Sequence, residues 1–205
     1  MAGGTGAAQR GVARLSLAQD PDADALLSDS SFALVVGMLL DQQVTIEKAF
    51  AGPAVIAERI GTPGELDPVS VADYDPDAFA AALCRPPAVH RYPAAMAGRV
   101  QALARLVVDT YGGDADAIWT GVGAQELLGR LRALPGFGER KAMIFLALLG
   151  KQRGVRPRGW RTAAGEFGVA GTYLSVADVV DAESLARVRA TKREAKAAAK
   201  AAAPG

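Results

Sequence analysis

The run Leu128-x-x-Leu131-x-x-Leu134-Pro135-Gly136-Phe137-Gly138-x-x-x-Ala142-x-x-Phe145-Leu146 constrains this chain more than any other segment. Apolar residues at three-residue spacing describe one face of a helix; the helix meets a Pro-Gly-x-Gly turn, and a second helix begins at once. Two glycines let the backbone turn tightly and approach a partner with no side chain in the way. The amides of such a turn, and the unpaired amides that open the next helix, point outward, and a phosphate is their natural ligand. Ala142 is small enough to bring the two helices close. A plain connection in any helical bundle has the same outline. What it lacks is the adjacent charge: Arg140 and Lys141 follow the turn, and a basic loop, Lys151 to Arg161, carries glycines, a proline and Trp160.

The remaining signals are helical, and the expected class is all-α. Asp20-Pro21-Asp22 reads as a helix start, with Asp at the cap and Pro in the first turn. Ser30 or Ser31 opens a second helix, Phe32 to Leu40, apolar nearly all round and therefore expected at the centre of its lobe. Asp41-Gln42-Gln43 interrupts the apolar run before Thr45 or a neighbour starts a helix from about Ile46 to Ile60. Asp67-Pro68 and Asp75-Pro76 open short helices, and Arg85-Pro86-Pro87 ends the second. Pro93 to Tyr111 forms an amphipathic helix, followed by Ala124 to Ala133 and Glu139 to Leu149. Val12 to Leu17 alternates loosely, as a short extended piece does. Ser175 or Asp178 begins a further helical region. The expected organisation is an N-terminal tail over residues 1–11, one domain over 12–185, and a basic Ala/Lys-rich tail over 186–205.

A net charge of +1 conceals an asymmetry. Residues 1–83 carry 4 Lys/Arg against 12 Asp/Glu, whereas residues 84–205 carry 19 against 10. A polyanion is thus expected to meet surfaces built from the second half. The apolar stretches are far shorter than the roughly 20 residues that span a bilayer, and the N-terminus lacks the pattern of a secretory signal. A cytoplasmic protein with no membrane contact is expected. A single cysteine, Cys84, excludes an internal disulfide and a multi-cysteine metal or iron–sulfur site; its expected place is a small buried hydrophobe.

On the hairpin residues quoted above, the chain resembles the helix-hairpin-helix superfamily of base-excision DNA glycosylases. The resemblance extends to Phe32-x-Leu-Val-Val-Gly-x-Leu-Leu-x-Gln42-Gln43-Val44-Thr45, similar to the family's early helix and the loop ending it, and covers roughly residues 30–150. It implies two helical lobes with a cleft between them, into which a damaged base is flipped from double-stranded DNA. It implies a DNA-binding set of Pro135, Gly136, Phe137, Gly138, Arg140 and Lys141, with Gln43 as the wedge filling the vacated stack and Gln42 beside it. Loop polarity alone also accounts for two glutamines.

The chain departs from the family pattern beyond the second hairpin helix, where a catalytic aspartate is usual. Gly154 to Arg161 holds no acid. Asp41, at the end of a buried helix and next to the wedge loop, is the alternative carboxylate, although aspartate also ends helices generally. Arg140 stands where lyase members have a lysine, and Lys141 is one residue, about 100° of helix, further on. A monofunctional, monomeric glycosylase without cofactor or metal is therefore expected; the alternative is a non-catalytic protein that binds distorted DNA. His90, Arg91, Tyr92 and Trp160 are candidates for a base pocket, or else His90 to Tyr92 form a helix-entry loop and Trp160 anchors the basic loop.

Overall fold

A computed structural model describes residues 14–202. The expected tail over residues 1–11 lies outside them. The described residues form ten α-helices and three short 3-10 turns, with no strand among them. The helices are α1 (Pro21–Asp29), α2 (Ser31–Leu40), α3 (Ile46–Arg59), α4 (Pro68–Asp73), α5 (Pro76–Cys84), α6 (Pro93–Tyr111), α7 (Ala124–Arg132), α8 (Glu139–Gln152), α9 (Trp160–Ala163) and α10 (Ala182–Ala202).

Local chemistry sets most of the boundaries. The side chains of Asp20, Ser30, Thr45, Asp67 and Asp75 each accept a backbone N–H from the first turn of the helix they open. Such a cap contributes about 1 kcal/mol. Residues 14–20 form no strand. They are held instead by the buried carboxylate of Asp24, which accepts the Leu17 and Ala18 amides at 2.8 Å each.

All ten residues of α2 are buried, which explains why it shows no polar face. It lies tightly against α3 through two glycines. A methyl on Gly37 would fall 2.7 Å from the Phe50 ring, and one on Gly52 would fall 2.5 Å from Leu40 Cδ1. α6 packs on α4 and α5, and α7 packs on α8. The aromatic rings of Trp119 and Phe137 both meet Phe145 of α8 edge-on, at 6.1 and 5.9 Å between centroids.

Two expectations are corrected here. Cys84 is exposed rather than buried, because the buried stripe of α5 runs through Phe79, Ala82 and Leu83 and the next residue is rotated about 100° off it. The basic loop after Gly150 is also less of a cationic surface than its composition suggests. Lys151 pairs at 2.5 Å with the buried Asp178, Arg153 donates to the Ser28 carbonyl at 2.7 Å, and Arg156 donates to the Gly150 carbonyl at 2.7 Å. Helix α10 runs through residue 186 and buries Leu185 and Val188. No single described helix is long and apolar enough to cross a membrane.

Candidate functional site

The turn between α7 and α8 gives its two glycines different tasks. Pro135 and Gly136 are the central residues of a turn closed by the Phe137 amide on the Leu134 carbonyl at 3.0 Å. Gly136 has φ 76°, the left-handed value that this turn type requires at its third residue. A methyl there would also strike Leu39 Cδ1 at 2.6 Å, so the turn is seated directly on the end of α2. Gly138 has φ −90° and ψ 177°, caps α8 without a side-chain hydrogen bond, and would have nothing within 4 Å of an added methyl. Its surroundings are open at the N-terminal end of α8. Phe137 is buried against Phe145, and an ion pair between Arg132 and Glu139 joins the two helix ends.

Opposite the turn lies the loop that ends α2. Asp41 is the terminal cap of that helix, its amide donating to the Gly37 and Met38 carbonyls. Gln42 reaches across: its Nε2 donates to the Gly136 carbonyl at 3.4 Å, and its Oε1 accepts from Arg99 of α6 at 3.3 Å. Gln43 is exposed with φ 54°, a conformation uncommon for any residue but glycine. These segments, some ninety-four positions apart, form one recess of about 630 Å³. Asp41, Gln42 and Gln43 line it from one side and Gly136, Gly138, Glu139, Arg140 and Lys141 from the other, with Met38, Val44, Ile144, Leu174 and Lys192 completing it.

Lys141 links the two sides. Its Nζ donates to the carbonyls of Met38 and Leu39, at 2.9 Å each. Burial lowers this ammonium to about 8, against the pull of Asp41 and with a further push from Arg99. Asp41 is half-buried, and desolvation raises its carboxyl above the ordinary aspartate value although Lys192 and Lys141 draw it down. The result is a half-buried carboxyl group whose desolvation is opposed by two nearby cations. Arg140 is exposed, near Glu166 at 3.3 Å and over the Phe167 ring at 4.8 Å.

The His90 cluster borders the same loop. His90 is fully buried, with Nε2 2.7 Å from the Gln42 carbonyl and the Tyr92 amide donating to Nδ1 at 3.0 Å. Tyr92 is exposed, its hydroxyl 3.5 Å from Gln43 Oε1, and Arg91 lies over its ring at 5.6 Å. Trp160 is not brought to the recess. Its ring is buried against α8, so that a methyl on Gly150 would fall 2.4 Å from it, and α8 is free to approach because residue 150 is glycine.

Sequence reasoning passed over Arg99, Lys192 and Leu174. Each comes from an element whose placement over the recess is non-local, and no spacing in the sequence ties them to Gln42 or Asp41. Among the described residues, no group of three or more His, Cys, Asp and Glu side chains is arranged to hold a metal ion. Neither a family model nor a curated protein nor a solved structure matches the chain.

Proposed function

We propose that the chain is a monofunctional DNA glycosylase of the helix-hairpin-helix type, acting on double-stranded DNA as a cytoplasmic monomer without metal or cofactor. The observation that carries this reading is the shared recess, which sets the Asp41–Gln43 loop against the α7–α8 hairpin. In the proposal the two sides of the recess belong to two lobes, and the recess is the cleft that receives an extruded nucleotide.

Each group then has a task that its surroundings suit. The open amides at Gly138 and the first turn of α8 take a backbone phosphate, favoured by the positive end of the helix. Arg140 and Lys192 add charge around it. Gln43, exposed and in a strained conformation, enters the stack in place of the flipped base; strain of this kind persists where the surroundings over-determine it. Asp41 in its ionised form stabilises the positive charge that develops on the sugar as the bond from C1′ to the base nitrogen breaks, and it accepts a proton from the attacking water.

The test is a panel of duplexes, each with one modified base, treated with alkali after incubation to reveal abasic sites. Wild-type protein is expected to produce alkali-labile sites in at least one duplex. Asp41→Asn is expected to bind that duplex and cleave it about 10²–10⁴-fold more slowly, the usual worth of a positioned acid–base group. Cleavage at the wild-type rate by Asp41→Asn removes Asp41 from the mechanism. Binding without cleavage across the panel favours instead a non-catalytic protein that recognises distorted DNA.

A further inference from the structure

The hydrogen bonds around His90 define its protonation state. The Tyr92 amide always carries its proton, so Nδ1, 3.0 Å away, must be the acceptor. The ring proton therefore sits on Nε2 and is donated to the Gln42 carbonyl at 2.7 Å. Both ring nitrogens are occupied inside the protein and the ring is 1% exposed, which leaves it nothing to offer a base or a metal.

The carbonyl that His90 holds belongs to the peptide joining Gln42 to Gln43. Because that unit is planar, fixing the direction of its oxygen also fixes the direction of the Gln43 amide, and with it the rotation that places Gln43 at φ 54°. Gln43 is one of two described non-glycine residues with positive φ. Its own side chain accepts a long hydrogen bond from the Tyr92 hydroxyl, at 3.5 Å, while Arg99 and Gly136 hold the side chain of Gln42. We propose that His90 is a positioning residue for the Asp41–Gln43 loop, a latch whose uncharged ring keeps Gln43 in its left-handed, presented conformation and releases it when the ring takes up a proton.

The bond to the Gln42 carbonyl itself favours the charged ring, as does one to Leu40, so protonation opposes the latch not at that bond but at the Tyr92 amide and through the burial of charge. A proton on Nδ1 would face the Tyr92 N–H, donor against donor. The charge would also be buried beside cations, since Lys48 of α3 and Lys141 of α8 both act on the ring and Arg91 precedes Tyr92 in its own loop. Desolvation, the largest cause, already holds His90 below its ordinary value.

The functional consequence rests on the reading of Gln43 as the wedge; the conformational claim does not. His90 is the chain's single histidine, so proton–nitrogen spectra of histidine-labelled protein report its ring directly. The expected result is an Nε2–H tautomer that persists as the pH falls through the ordinary histidine value of 6.5. At the lower pH where the ring does protonate, the amide shift and HN–Hα coupling of Gln43 are expected to leave their left-handed values with the same midpoint. An Nδ1–H tautomer, or a Gln43 signal indifferent to the ring's titration, overturns the latch, and no variant is needed to see either.

Two variants carry the consequence to DNA, with a duplex containing 2-aminopurine opposite a tetrahydrofuran abasic analogue as the probe. In His90→Phe, which keeps a ring and loses both hydrogen bonds, the fluorescence gain on binding should fall about fivefold, the worth of one hydrogen bond. His90→Gln, which keeps a donor for the Gln42 carbonyl, should recover most of it, while both bind plain duplex as the wild type does. An undiminished gain in His90→Phe overturns the proposal. A wild-type protein that leaves the probe stacked refutes the wedge reading but not the latch, because the Gln43 signals are measured without DNA.

Discussion

Replacing each hairpin glycine by alanine should separate the turn's structural task from its binding task. In Gly136→Ala the new residue must hold φ 76°, which costs a non-glycine residue roughly 1–2 kcal/mol. Its methyl would also stand 2.6 Å from Leu39 Cδ1 in a fully buried part of α2, an overpacking that typically costs about 1–3 kcal/mol. The two together give about 2–5 kcal/mol, and at roughly 2–4 °C per kcal/mol for a chain of this length the melting temperature should fall by about 4–20 °C. In Gly138→Ala the backbone is in an ordinary extended conformation and the methyl meets nothing within 4 Å. A slightly poorer helix cap is offset by the reduced freedom of the unfolded chain, for a net change within about 0.5 kcal/mol. If a phosphate approaches through the open space beside Gly138, that methyl narrows the approach, and affinity for plain duplex should fall at least about tenfold, a loss of about 1.4 kcal/mol. Urea or thermal denaturation followed by circular dichroism, together with DNA titration at one fixed salt concentration, measures both. Equal stability of the two variants would refute the packing argument. Wild-type affinity in a stable Gly138→Ala protein would refute the phosphate grip.

The two ionisable groups of the recess give further expectations. Because the folded protein raises the Asp41 carboxyl above its ordinary value, its ionised form is penalised at neutral pH; the penalty is present above the folded value and disappears as the pH falls through it toward the unfolded value. Asp41→Asn should therefore melt above the wild type at pH 7, with the difference vanishing toward pH 4; a lower melting temperature for the variant at pH 7 would contradict the sign. Lys141 tests the monofunctional reading, since its amine is committed to the Met38 and Leu39 carbonyls. Borohydride reduction in the presence of abasic duplex should trap no covalent adduct, and mass spectrometry locating one on Lys141 would show a lyase instead.

Much of the fold was legible because the causes are local. The caps at Asp20, Ser30, Thr45, Asp67 and Asp75 act within three residues of themselves, and the turn at Pro135-Gly136 depends on the conformations those residues permit. The burial of α2 followed from the absence of any polar face. Cys84 was misplaced by assuming average behaviour for its residue type, when the phase of the stripe through Phe79, Ala82 and Leu83 already turned it outward.

The sequence by itself determined the helical class, the tight turn between α7 and α8 and the charge asymmetry of the two halves, because each depends on composition or on neighbours along the chain. It also marked Asp41, Gln42, Gln43 and the hairpin residues, though as two separate segments. Only the tertiary structure decided that these share a recess, that Lys141 joins them through the end of α2, and that Lys151, Arg153 and Arg156 are spent on partners inside the fold. It alone turned Trp160 into the core and His90 onto the Gln42 carbonyl. A cation or an imidazole acquires its role from the groups packed against it, and those arrive from distant parts of the chain.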